Sequence, residues 1–147
     1  MRIKLSSTVA LWLNRIIFLF VIAMAATLPW ITEHFVGGGY LAARAAMALK
    51  CAYYACCPVV LLALWKLDAL LRAILGGEVF THENVSSIRI IRWCCLGVSL
   101  ICLPAATRYL PLWLMVMIMG FLSLVITVLG NVMKAAVAIR EENDLTV

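Results

Sequence analysis

The sequence predicts an all-α membrane protein: a bundle of four transmembrane helices with a cytoplasmic helical hairpin between the second and third spans. Three observations predict it. Of 147 residues, 66% are apolar and 13% charged, and the mean hydropathy is +1.09. Soluble domains run about 45–50% apolar and about 25% charged. A globule of this size could not hide so much apolar surface from water, which excludes a cytosolic enzyme. Disorder is excluded too, because low hydrophobicity is its signature. Second, the apolar residues gather into four stretches that approach the about 20 residues needed to cross about 30 Å of hydrocarbon. Third, nothing alternates over the about ten-residue segments that barrel strands require.

The spans are expected at residues 11–31, 45–65, 90–107 and 112–133, making residues 1–147 a single domain. The first carries Trp30 as an interfacial anchor, the third is the shortest, and the fourth is the least ambiguous. Basic residues followed by an apolar run and Ala23-Met24-Ala25 also fit a secretory signal with its cleavage site. The apolar stretch continues to Trp30, so the segment is read as a retained span. In lipid each backbone donor must be satisfied within its own segment, hence helices.

Lys and Arg in the short loops set orientation. Arg2, Lys4, Arg15, Lys66, Arg72, Arg89, Arg92, Lys134 and Arg140 fall on one side; Arg44, Lys50 and Arg108 fall on the other. Both termini and the central loop are therefore expected in the cytoplasm. The net charge of +5 is this topology signal, and no direct nucleic-acid binding is read from it.

The most legible local chemistry lies in the hairpin, residues 66–89. Leu67, Leu70, Leu71 and Ile74 repeat at helical spacing, so the second span should continue as an amphipathic helix near the headgroups. Asp68 and Arg72 stand one turn apart on the other face, able to pair weakly. Gly76 is expected to cap this helix in the left-handed conformation, with Gly77 extending the turn. Thr81 reads as the next N-cap, Glu83 suits the positive helix end, and Phe80 can staple onto Val85. The hairpin is either a structural corner or a partner contact.

Site chemistry is sparse. Cys51, Cys56, Cys57, Cys94, Cys95 and Cys102 all fall in spans and none forms a Cys-x-x-Cys pair. They read as small packing residues, with a copper(I) site or a sensor thiol as alternatives. Cys51 and Cys102 sit at similar expected depth, which would permit a disulfide. The four spans hold no Asp or Glu, against a proton-coupled exporter, and Lys50 can snorkel to the interface. Glu33-His34 and His82-Glu83 stand on opposite sides and read as solvated. No metal site, cofactor or enzymatic activity is expected. Small residues four apart (Ala42/Ala46, Ala48/Ala52, Ser123/Thr127) mark close helix approach, within the bundle or in a homo-oligomer.

Residues 134–147 are expected to extend the fourth helix into a cytoplasmic tail. Glu141, Glu142 and Asp144 are unusual so close to a membrane. They would either pair with Arg72, Arg89 and Arg92 or be read by another protein.

The run Gly77-Glu78-Val79-Phe80-Thr81-His82-Glu83-Asn84-Val85, then Arg89, together with the ending Glu141-Glu142-Asn143-Asp144-Leu145-Thr146-Val147, resembles the bacterial membrane-protein family known as domain of unknown function 2975. The resemblance covers nearly the whole chain. It implies four spans, no assigned reaction, and a frequent gene neighbour encoding a small helix-turn-helix transcription regulator.

The leading expectation is a non-enzymatic inner-membrane protein, embedded in the lipid bilayer, that binds a cytoplasmic regulator. Its candidate contacts are Gly77, Phe80, Thr81, Asn84, Arg89, Glu142, Asp144 and Leu145. The rivals are a small transporter or channel using Lys50, Tyr53, Tyr54, Ser99 or Asn131, and a thiol-based redox or copper sensor.

Overall fold

The computed structural model describes residues 2–39, 42–77 and 81–145. Four helices follow one another: α1 (Arg2–Gly37), α2 (Ala43–Leu75), α3 (His82–Ala106) and α4 (Leu112–Leu145). Each is long and apolar enough to cross a membrane, the architecture of a multi-pass membrane protein. Large apolar side chains such as Phe20, Leu114 and Phe121 are about two-thirds exposed, as suits helices whose solvent is lipid.

The helices outrun the expected spans because nothing in their sequences stops them at the hydrocarbon edge. At 1.5 Å per residue α1 extends about 54 Å, well beyond about 30 Å of hydrocarbon. The helix that carries the expected third span begins at His82, and the described part of the segment 66–89 is the end of α2 and the start of α3, with Gly76, Gly77 and Thr81 between them.

That corner has identifiable causes. Gly76 closes α2 in a right-handed conformation (φ −73°), its N–H reaching the Arg72 carbonyl. The left-handed residue is Gly77 (φ +85°), one position later than expected: Gly76 still completes the last helical turn. Thr81 caps α3, its hydroxyl oxygen accepting from the Asn84 N–H at 3.4 Å, as expected. The Phe80 staple lies outside the described residues.

Helices pack in chain order, α1 on α2, α2 on α3 and α3 on α4. Among the described residues α1 and α4 do not meet through their backbones, so the assembly is more open than a closed bundle. Each pair is antiparallel: Tyr53 bonds to the Val21 carbonyl and Asn14 to the Leu64 carbonyl, Cys56 meets Cys102, and Ser99 and Ser123 bond to the Val116 and Arg92 carbonyls. The core is built from small and medium side chains: Cys56, Val98, Cys102, Ala106 and Val116. Ala46, Ala52 and Ser123 are buried, which assigns three of the small residues to contacts within the chain.

Pro29 shows how lipid's demand for satisfied backbone is met. Its missing N–H would orphan the Ala25 carbonyl. The Tyr54 hydroxyl, reaching from α2, donates to that oxygen at 2.8 Å.

Candidate functional site

Antiparallel packing places the start of α1, the end of α2, the corner 76–81, the start of α3 and the end of α4 at one end of the molecule. Most of the chain's cations share it. Between α3 and α4 it opens a cavity of about 400 Å³ bordered by His82, Ser86, Arg89 and Lys134, floored by Val85 and Val137. A narrow cleft continues along the same two helices past Arg92, Thr127 and Asn131.

The sequence-derived contacts distribute unevenly there. Gly77 is exposed and Thr81 half-exposed, both held by the turn chemistry described above. Asn84 is only 4% exposed, so its side chain is buried at the first turn of α3 and is not offered on the surface. Arg89 is exposed on the α3–α4 groove. Glu142 is exposed one turn past Ala138 on α4. Asp144 and Leu145 continue the same helix, with side chains outside the described ones, and Phe80 lies outside the described residues altogether. Because α4 stays helical to Leu145, the backbone of residues 141–145 continues in line with α4 past the level of His82.

A polar cluster between α1 and α2 was missed by sequence reasoning. Asp68, expected in a weak pair on the face opposite the leucines, is only 7% exposed. Its carboxylate pairs with Arg72 one turn away and with Arg15 of α1 at 3.6 Å. Next to it the Asn14 amide donates to the Leu64 carbonyl at 3.1 Å. Asn14 Oδ1 is buried without a hydrogen-bond partner. The available signal was Asn14-Arg15 interrupting an apolar span, since such groups seek partners inside the bundle.

The other polar candidates are spent on packing. Tyr53 and Tyr54 bond to α1 carbonyls, Ser99 bonds to α4, and Lys50 approaches Glu33 at 3.9 Å. Asn131 lies in the α3–α4 cleft. They occupy separate interfaces and line no common path. Cys102 meets Cys56, with sulfurs 3.7 Å apart and both thiols free, while Cys51 is exposed. Five residues turn a helix by about 140° beyond a full turn, so Cys51 and Cys56 cannot share the α3-facing side. His34 stacks on Trp30 with ring centroids 6.1 Å apart. Among the described residues no three His, Cys, Asp or Glu side chains are grouped to hold a metal.

A family model described as protein of unknown function (DUF2975) matches residues 21–147. The chain belongs to the DUF2975 family. The matched region takes in α2, α3, α4, the corner and the basic groove. It includes Asp68 and Arg72 but begins after Asn14 and Arg15, so only part of the α1–α2 polar cluster falls within it. No curated protein and no solved structure matches this DUF2975 chain.

Proposed function

We propose that this DUF2975 protein is a non-enzymatic protein of the bacterial inner membrane that binds a cytoplasmic protein through the end carrying the corner and the α4 projection. The observation behind this reading is the register of α3 and α4. Lys134, Val137 and Ala138 stand level with His82–Arg89, so the helical turns bearing Glu141, Glu142 and Asp144 project past the corner. An acidic helical projection beside a basic groove offers a partner two surfaces of opposite charge, which favour specificity and fast encounter. The excess of Lys and Arg at this end, named above, supports placing it in the cytoplasm. The partner class implied by the family resemblance is a small helix-turn-helix transcription regulator, with DNA contacted by the regulator alone.

The test is photo-crosslinking in intact cells from Phe80 and Leu145, with the full chain and with residues 141–147 deleted. Both positions are expected to capture one cytoplasmic DNA-binding protein, and the deletion is expected to abolish that capture. Capture of the same partners with and without the deletion would refute the role of the tail. Capture of lipid alone from both positions would refute partner binding at this end.

A further inference from the structure

We propose that the groove between α3 and α4 is a binding site for the phosphodiester headgroup of an anionic phospholipid. The site shares Arg89 with the partner surface proposed above but does not depend on that reading, because the lining of the groove and its depth carry it. Arg89 and Lys134 come from different helices and border the same cavity of about 400 Å³. Both are exposed, and neither makes an ion pair among the described residues. An Arg guanidinium offers paired donors to phosphate oxygens while Lys supplies a compact charge, a combination suited to a phosphodiester.

The groove also occupies the opening turns of α3, from His82 to Arg89, at the positive end of the helix dipole, which favours an anion. Ser86 adds a hydroxyl on the same wall. Its depth is right for a headgroup: α3 spans about 37 Å, so its first turns emerge from about 30 Å of hydrocarbon. Basic pockets between transmembrane helices at that level are the known setting for anionic headgroups.

Lipid is favoured over a soluble anion by where the groove lies. Arg89 and Lys134 both stand within the apolar helical segments His82–Ala106 and Leu112–Arg140, each long enough to cross a membrane, and Val85, Val137 and Ala138 line the groove between them. A lipid headgroup reaches such a groove sideways from the bilayer. Glu83, in the same turn of α3 as His82, does not line the cavity.

The experiment uses the purified full-length protein in detergent, titrated with phosphatidylglycerol, phosphatidylcholine or inorganic phosphate, with bound species counted by native mass spectrometry. Phosphatidylglycerol is expected to be retained over phosphatidylcholine. Arg89→Gln and Lys134→Gln are each expected to weaken that retention about fivefold, from about 1 kcal/mol per surface cation. Arg89→Lys should keep most of the binding, and Lys66→Gln, on α2 and away from the groove, should change nothing. Equal retention of the two lipids, unchanged binding in the Arg89→Gln/Lys134→Gln variant, or an equal loss in the Lys66→Gln control would overturn the proposal. Displacement of phosphatidylglycerol by inorganic phosphate would show a free-anion site and overturn the lipid assignment.

Discussion

Replacing Arg15 and Arg72 together by glutamine is expected to destabilise the protein by about 3–5 kcal/mol, the range for leaving a buried charge without its partners. Asp68 is 7% exposed and meets arginines from two helices. The arginines are half-exposed, at 52% and 61%. That asymmetry sets the order of effects. In Asp68→Asn the guanidinium groups can turn outward, so the expected loss is nearer the about 1.5–3 kcal/mol of hydrogen bonds to a charged group, reduced by solvent screening. Arg15→Gln alone leaves Asp68 its Arg72 contact and should fall below both. Unfolding by dodecyl sulfate in detergent micelles, followed by circular dichroism, gives the ranking. An Asp68→Asn loss equal to or larger than that of the double arginine variant would contradict this account of the α1–α2 contact.

The second large effect is expected at Gly130, which faces α3 with little room for a side chain. A Cβ there would stand 3.3 Å from a methyl carbon of Ile88. Gly130→Ala should be nearly neutral, because a small shift of Ile88 is offset by the roughly 1 kcal/mol better helix propensity of alanine. Gly130→Leu cannot be absorbed that way and is expected to cost about 1–3 kcal/mol by overpacking. It would also strain the Ser123 hydroxyl's bond to the Arg92 carbonyl, 3.3 Å long in the same interface. Ile88→Ala should recover part of the Gly130→Leu loss, giving a favourable coupling energy in a double-mutant cycle. Strict additivity of the two substitutions would show that Ile88 is not what the leucine meets.

The spans were legible because a bilayer imposes one length and one polarity on whatever crosses it, and residues 112–133 satisfy both. Their ends were less so. Residues 82–89 are polar, yet the expected restart of the helix after Thr81 holds, because Thr81 caps α3 there and Val85 and Ile88 are buried. Thr81 was legible since capping is decided within one turn of chain. Gly77 was missed by one position because either glycine of the pair can take a left-handed conformation, and Gly76 was used to finish the last turn of α2.

The α1–α2 cluster was illegible for a different reason. Asp68 looks like half of a local pair with Arg72 until Arg15 arrives from another helix, and no local pattern announces that meeting. The same holds for Cys56 and Cys102, whose contact depends on the register of α2 against α3. The basic groove was partly visible: Arg89 stood out in the sequence, while Lys134 entered only as a topology charge. Glu142 and Asp144 were marked by composition, but whether they fold back or project depended on how far α4 stays helical.

Placement of the corner at Gly77 and of the residues following Lys134 together on the cytoplasmic side, as proposed above, is open to one decisive measurement in intact cells: a fluorescent reporter fused after Val147, combined with protease added from outside and an epitope inserted at Gly77. Cytoplasmic fluorescence is expected, with an epitope that survives protease until the membrane is opened. A reporter active only outside the cytoplasm, or cleavage at the corner in sealed cells, would contradict it.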